Sequence, residues 1–252
     1  MHMLAAQRKE LLLDRLHADG RLVAKDLAAE LDTSEDTIRR DLRELAVAGL
    51  CQRVYGGAIP VAPAAASYAR RQEIATSSKQ RVAAACLQLV QPGSTLILDG
   101  GTTALEVART LPPDDRLTVI THSPTIAVAL VDHPAEVFLL GGRLFKHSVV
   151  TSGAATAEAA ALISADLFLL GVTGVRADTG LTTGDVDEAA MKRALSRRAG
   201  QTWVMASEEK IGAASPFPVL RLDEVAGIVS DADEHNPVVA ELERTGVQVL
   251  RA

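Results

Sequence analysis

Apolar positions are spaced in two different ways along the chain. Through the first sixty or so residues they recur at helical intervals; further on they come in short runs separated by amphipathic stretches. Residues 6–17 carry Leu11, Leu12 and Leu16, a stripe that stops at Gly20, a residue suited to cap a helix C-terminus. Residues 21–23 read as a short extended piece. Residues 25–31 read as a second helix, with Leu27, Ala28 and Leu31 on one side. The turn Asp32-Thr33-Ser34 leads into a third helix, with Ser34 as N-cap and with Glu35 and Asp36 where the macrodipole favours negative charge. Thr37 stands where a capping box needs Glu or Gln, so the box is incomplete. Residues 50–54 predict a strand running into Tyr55-Gly56-Gly57, residues 60–66 a Pro/Ala/Val-rich linker, and residues 67–74 a connecting helix.

The rest of the chain alternates. Apolar runs at 95–98, 117–120, 137–140, 167–171, 203–206, 227–229 and 247–250 predict strands. Between most of them, 79–90, 103–111, 123–131, 154–163, 188–198 and 236–244 predict helices. That alternation predicts an α/β class: a Rossmann-like, mostly parallel sheet covered on both faces.

Composition narrows the class. Of 252 residues, 48% are hydrophobic and 23% charged, an ordinary globular balance, and the 3% aromatic share requires a core of Ala, Val, Leu and Ile. No apolar run approaches the roughly 18 to 20 residues that span a bilayer. The N-terminus meets Arg8, Lys9 and Glu10 before any long apolar stretch, unlike a secretory signal. Cys51 and Cys86 lie far apart, outside paired metal-ligand spacing, and read as buried thiols of a reducing compartment. The expectation is a cytoplasmic chain with no metal, no cofactor and no membrane partner.

A net charge of −6 argues against a general attraction to nucleic acid. Residues 1–57 hold nine basic and ten acidic side chains, a net −1, and the remainder 17 and 22, a net −5. Any DNA contact must come from locally placed arginines. On a helical wheel the third helix puts Ile38, Leu42 and Leu45 on one face and Arg40 and Arg43 opposite, flanked by Thr37 and Arg39. Outward arginines on a helix packed by its apolar face suit the major groove, where Arg bonds guanine bidentately or pairs with phosphate. The same pattern fits a solvated charged face in which Asp41 and Glu44 neutralise the arginines.

In the second half, the strand at 95–98 ends in Asp99-Gly100-Gly101-Thr102-Thr103 and enters a helix. Glycines let an anion approach the backbone, and threonine hydroxyls with first-turn N–H groups can bond phosphate oxygens. The run is neither a dinucleotide fingerprint nor a Walker loop. Thr121-His122-Ser123, Gly141-Gly142 and Gly171-Val172-Thr173-Gly174 also follow strands, where open parallel sheets bind ligands.

The run Thr33-Ser34-Glu35-Asp36-Thr37-Ile38-Arg39-Arg40-Asp41-Leu42, with Gly49-Leu50 and Arg53-Val54-Tyr55-Gly56-Gly57-Ala58, resembles the N-terminal signature of the DeoR/GlpR family of bacterial transcription regulators. The resemblance implies a winged helix-turn-helix over residues 1–58, with a recognition helix at 34–48, a wing at 50–58 and Arg53 near the DNA backbone. Ser34, Thr37, Arg39, Arg40, Arg43, Arg53, Tyr55 and Gly56 are the expected DNA-binding residues. Residues 75–252 resemble the effector-binding half of the same family, through Asp99–Thr103, Gly142, Ser152-Gly153, Gly180-Leu181-Thr182, and Glu188 with Lys192. Residues 59–74 are then linker and connecting helix.

That half is related to phosphosugar isomerases, in which a lysine opening the first helix helps hold the phosphate; Lys79 is similar in position. The effector site implied by all of this comprises Lys79, Asp99, Gly100, Gly101, Thr102, Thr103, Thr121, Ser123, Gly142, Gly153, Gly174, Glu188, Lys192 and Lys210. The family commonly has Asn in the place of His122. The implied function is repression of carbohydrate-catabolic genes by a homo-dimer or homo-tetramer on double-stranded operator DNA, controlled by a phosphorylated sugar or polyol. Ribose-5-phosphate isomerase uses a paired-aspartate motif after a strand. Gly171-Val172-Thr173-Gly174-Val175, which stands there, has no carboxylate, so the chain is expected not to be an enzyme and to have no catalytic residues.

Overall fold

A computed structural model describes residues 4–19, 21–47, 50–59 and 67–252. The expected cap at Gly20, the recognition-helix end at Ala48 with Gly49, and the 60–66 linker lie outside them. The chain divides into two units, Met1–Ala62 and Pro63–Ala252.

The first unit runs α1 (Ala5–Asp19), β1 (Leu22–Val23), α2 (Ala24–Glu30), α3 (Glu35–Val47), β2 (Gln52–Val54) and β3 (Gly57–Ile59). Its core holds Leu12, Leu16, Leu27, Ile38, Leu42 and Leu45, so the apolar faces read from the wheel are the packed ones. Asp32 takes φ 47° in the turn between α2 and α3, a conformation Asp tolerates better than branched residues. The three strands pair antiparallel in the order β1-β3-β2. Gly57 is required there, because a Cβ would sit 1.7 Å from the Leu22 carbonyl oxygen. β2 starts later than expected because Cys51 is drawn into the core, its Sγ donating to the Leu42 carbonyl at 3.5 Å.

The second unit begins with α4 (Tyr68–Glu73) and α5 (Thr76–Cys86), then β4 (Thr95–Leu98), α6 (Thr102–Thr110), β5 (Thr118–Thr121), α7 (Pro124–Ala129) and β6 (Glu136–Leu139). It continues through β7 (Arg143–Phe145), β8 (Val150–Ser152), α8 (Ala154–Ala161), β9 (Ala165–Gly171), β10 (Gly174–Arg176), β11 (Gly180–Thr183) and α9 (Val186–Ser196). β12 (Ala199–Met205), β13 (Phe217–Leu220), β14 (Gly227–Ser230), α10 (Pro237–Arg244) and β15 (Val249–Arg251) complete it.

Seven strands form one parallel sheet in the order β15-β14-β12-β9-β4-β5-β6. They are the seven that the apolar runs predict. In the central strands, Leu96, Leu98 and Leu169 enter one core and Ile97, Phe168 and Leu170 the other. Burial on both faces is why these segments read as continuous apolar runs. Cys86 lies inside the first of these cores, and burial pushes its thiol up to about 12. Two smaller antiparallel sheets, β10-β11-β13 and the β7-β8 hairpin, have no counterpart among the predicted strands. Among the described residues no helix is long and apolar enough to cross a membrane.

The sheet order carries a functional consequence. From β4 the chain builds outward through β5 and β6, and from β9 it builds the other way through β12, β14 and β15. β4 and β9 are therefore the neighbours at which strand order reverses. Ligands of open α/β sheets bind outside the carboxyl ends of such a pair.

Candidate functional site

In the first unit a concave surface lies between α3 and the β2–β3 hairpin. It is lined by Lys25, Thr37, Arg39, Arg40, Arg43, Arg53, Tyr55 and Gly56, among others. All four arginines are exposed, and Tyr55 stands fully exposed at the hairpin tip beside Gly56, whose φ of 80° makes the turn. Seven of the eight residues expected to touch DNA thus share one surface. Ser34 is the exception: it caps α3, accepting from the Thr37 backbone N–H at 3.1 Å, and its hydroxyl lies 2.8 Å from the Thr37 hydroxyl.

The acids that could neutralise these arginines are largely engaged elsewhere. Asp41 is buried and pairs with Arg8 of α1 at 2.5 Å, and Glu44 pairs with Lys9. The Lys9 ammonium holds the Glu44 carboxyl below its ordinary pKa, with Arg40 adding to the effect. Arg39 alone is tied within the helix, to Glu35 at 2.7 Å.

In the second unit a cleft opens at the carboxyl ends of β4 and β9, the point where strand order reverses. Its floor is Gly100, Gly101, Thr102 and Thr103 after β4, and Gly171, Val172 and Thr173 after β9. Gly101 is the N-cap of α6 with φ 109°, and a Cβ built there meets nothing within 4 Å, so the backbone faces open space. The first-turn N–H groups of α6 have no partner within the helix, an arrangement suited to an anion. Lys210 donates to the Thr103 hydroxyl at 3.0 Å. Burial pushes the Lys210 ammonium down to about 8, with Glu209 opposing and Lys79, Lys192 and Arg71 assisting. Glu188 and Lys192 stand one turn apart on α9 and both reach the cleft.

Beneath the floor lies a saturated buried network. Asp99 Oδ2 accepts from Lys192 Nζ at 2.5 Å and from the Gly171 N–H at 2.8 Å. Asp99 Oδ1 accepts from the Gly100 N–H at 2.8 Å and lies 2.9 Å from His122 Nε2. The other ring nitrogen, Nδ1, lies 3.1 Å from the Thr151 carbonyl oxygen. Burial works against ionisation of Asp99, but the Lys192 ammonium and the His122 hydrogen bond hold its carboxyl well below the usual range.

Eight of the expected effector residues line the cleft: Lys79, Gly100, Gly101, Thr102, Thr103, Glu188, Lys192 and Lys210. Asp99 does not; it is the anchor below. Thr121 and Ser123 are also absent from the lining, because their hydroxyls are spent internally. Thr121 accepts from the Ser123 N–H at 3.1 Å, and Ser123 donates to the Val149 carbonyl at 3.2 Å. Gly142 and Gly174 are glycines for packing, since a Cβ would meet Thr156 Oγ1 at 2.0 Å or the Ala213 carbonyl oxygen at 2.3 Å. Gly153 caps α8 with φ 98°, away from the lining. Lys79 lies in the first turn of α5 and spends its ammonium on the Arg71 and Ile74 carbonyls, so it braces the wall it lines.

The sequence reading missed Arg71, Ser148, Thr183 and Glu209, which also line the cleft; Thr173, in the loop it singled out after the strand at 167–171, lines it as well. Ser148 lies in the turn between the unpredicted strands β7 and β8. Arg71 had one legible signal, a basic residue on the helix entering the sensor half. Among the described residues no cluster of His, Cys, Asp and Glu forms a metal site.

An exposed arginine groove on one unit and a polar ligand cleft on the other define a DNA-binding regulator with a sensor half. The comparisons agree with that class. Residues 8–63 match the model of the DeoR-like helix-turn-helix domain, and residues 74–232 match that of the DeoR C terminal sensor domain. The chain is 32% identical over 251 residues to the HTH-type transcriptional regulator GlpR of Haloferax volcanii, covering 98% of each protein. It is 30% identical over 251 residues to the HTH-type transcriptional repressor GlcR of Bacillus subtilis, covering 98% of this chain and 96% of that one. It is 28% identical over 232 residues to the glycerol-3-phosphate regulon repressor of Escherichia coli K12, covering 91% and 92%. The chain belongs to the DeoR family of transcriptional regulators. It is a DNA-binding regulator, and its relatives are named as regulators and repressors, not enzymes.

Proposed function

We propose that the chain is a repressor of carbohydrate-type genes, acting in the cytoplasm as a homo-oligomer, whose operator affinity is set by a phosphorylated sugar or polyol in the cleft. The observation that carries the ligand class is the first turn of α6, open at Gly101, with the Lys210 ammonium on the Thr103 hydroxyl. Backbone donors, a hydroxyl and a cation converge there as a phosphate group needs. The glycerol-3-phosphate regulon repressor among the relatives agrees with this class. Glu188 remains for the ligand's hydroxyls.

Catalysis has no equivalent support. The buried carboxylate nearest the cradle, Asp99, has both oxygens engaged and cannot serve as a general base. Arg40, Arg43 and Arg53 are assigned to the DNA, and Arg39 to its edge. One such unit covers too little groove for tight specific binding, which supports a symmetric oligomer on repeated half-sites.

The test is a DNA-binding titration of the full chain on an operator selected from random duplexes, with sugar and polyol phosphates added in turn. A phosphorylated compound should shift operator affinity by a coupling of about 1–3 kcal/mol, and its unphosphorylated parent should not. Equal effects of both compounds would remove the phosphate assignment.

A further inference from the structure

Among the described residues only two buried side-chain atoms have no hydrogen-bond partner, Arg71 Nε and Glu209 Oε2. Both residues line the cleft. Buried polar groups are nearly always satisfied, and one donor and one acceptor left open in the same cleft describe a ligand that brings the complement of each. The group for Arg71 Nε is an oxygen acceptor, favoured if anionic; the group for Glu209 Oε2 is a donor, such as a hydroxyl. A hydroxylated phosphomonoester carries both. The rest of each side chain is already fixed. Arg71 Nη2 donates to the His147 carbonyl at 2.7 Å, and Glu209 Oε1 accepts from the Ser207 hydroxyl at 2.7 Å. Neither has to be recruited from solvent.

The position of Arg71 gives this contact a second meaning. It lies on α4, the first helix of the second unit, which the chain enters directly after the segment joining it to the DNA-binding unit. α4 is held on the sensor by few ties. Tyr68 donates to the Thr125 hydroxyl at 3.0 Å, Arg71 reaches His147, and the Lys79 ammonium takes the Arg71 and Ile74 carbonyls. Two residues close to these ties have strained backbones. Ala75, which ends the α4–α5 connection, has φ 50°, and Val149, two residues beyond His147, has φ 53°, rare for a branched residue. Two of these four hydrogen bonds involve Arg71, one through its guanidinium and one through its carbonyl.

Resting on the anionic-effector reading above, we infer that Arg71 is an effector ligand carried by the connecting helix, so that filling the cleft and fixing α4 are one event. Arg71 and Glu209 read the anion and a hydroxyl of the same molecule, and occupancy reaches the chain leading to the DNA-binding unit through Arg71. The coupling then needs no relay across the sheet. A ligand that binds the docked α4 more tightly than the released one shifts the balance between them, and with it whatever the connecting segment transmits.

The test uses the full chain with inorganic phosphate, glycerol 3-phosphate, ribose 5-phosphate and glucose 6-phosphate, taking forward the tightest binder. Binding is read by calorimetry and the ordering of α4 by hydrogen exchange over residues 67–75. Arg71→Ala should weaken that binder at least tenfold. Arg71→Lys, which keeps the charge and is the variant to use if the alanine form does not fold, should weaken it less and abolish the ligand-dependent slowing of exchange in α4. Glu209→Gln should lower the preference for the phosphomonoester over inorganic phosphate. Unchanged affinity in both Arg71 variants, or parent binding with no change of exchange in α4, would overturn this inference alone. Failure of the parent to bind any phosphorylated probe would overturn the anionic-effector reading and this one with it.

Discussion

Within four residues of α3 the sequence places Arg40, Asp41 and Arg43, and the structure gives the acid a different task from its neighbours. Asp41 turns inward, 1% exposed, against Arg8 of α1. Replacing Asp41 with Ala removes one partner of a buried pair, a change that costs about 3–5 kcal/mol. The first unit spans 62 residues, and at about 0.05–0.15 kcal/mol per residue its whole stability is about 3–9 kcal/mol. The substitution should therefore remove a third or more of that stability, and in the lower range unfold the unit outright. Hydrogen exchange on the intact chain should show lost protection in α1 and α3, with the strands of the seven-stranded sheet unaffected. Operator affinity should fall although no residue of the groove has changed. Replacing both partners, Arg8→Met with Asp41→Leu, should recover much of the loss, because neither charge is then stranded. Glu44→Ala is the contrast: its pair with Lys9 is open to solvent, and protection of α1 and α3 should stay close to the parent's. Unchanged protection of α1 and α3 in Asp41→Ala would refute the argument.

Three other outcomes follow from the geometry. Arg43→Ala or Arg40→Ala should weaken specific operator binding by about 1–3 kcal/mol with no shift in melting temperature, measured by fluorescence anisotropy and calorimetry. Lys210 loses its proton near pH 8, so phosphate-ester affinity should fall as pH rises through that value. The ligand-free sensor should become more stable over the same rise, since its folded pKa lies below the ordinary lysine value and the unfolded chain then binds more protons. Lys192→Met should leave Asp99 buried beside one fewer cation, lower the melting temperature of the second unit, and make it unfold at a less acidic pH. The parent's Asp99 contribution is present above the ordinary carboxylate range and lost as pH falls below it.

The seven-stranded sheet was legible because its strands are covered on both sides, leaving Leu96–Leu98 and Phe168–Leu170 no polar face to show. β10, β11 and β13 were not, because each is only three or four residues long and β11 pairs with β13 across a long stretch of sequence. The same divides the cleft. Its floor announced itself as a Gly/Thr turn after a strong strand, whereas Arg71, Ser148 and Glu209 arrive from elements whose position only the tertiary fold decides. Thr121, Ser123 and Gly142 were misread because a hydroxyl or a glycine at a strand end serves internal bonding and packing as readily as a ligand. Gly101 retains its place: its φ of 109° suits glycine, and its backbone faces open space.

Both cysteines lie in cores, and the thiolate, not the thiol, is the species that reacts with alkylating probes. With the Cys86 thiol pushed up to about 12, only on the order of one molecule in 10⁵ carries that thiolate at pH 7, and Cys51 is likewise shifted upward by burial. The natural chain is thus close to silent toward maleimide chemistry while folded. A single cysteine introduced at the exposed Tyr55 position would be labelled almost alone, placing a fluorophore or spin probe at the tip of the hairpin without first removing any native residue from the interior.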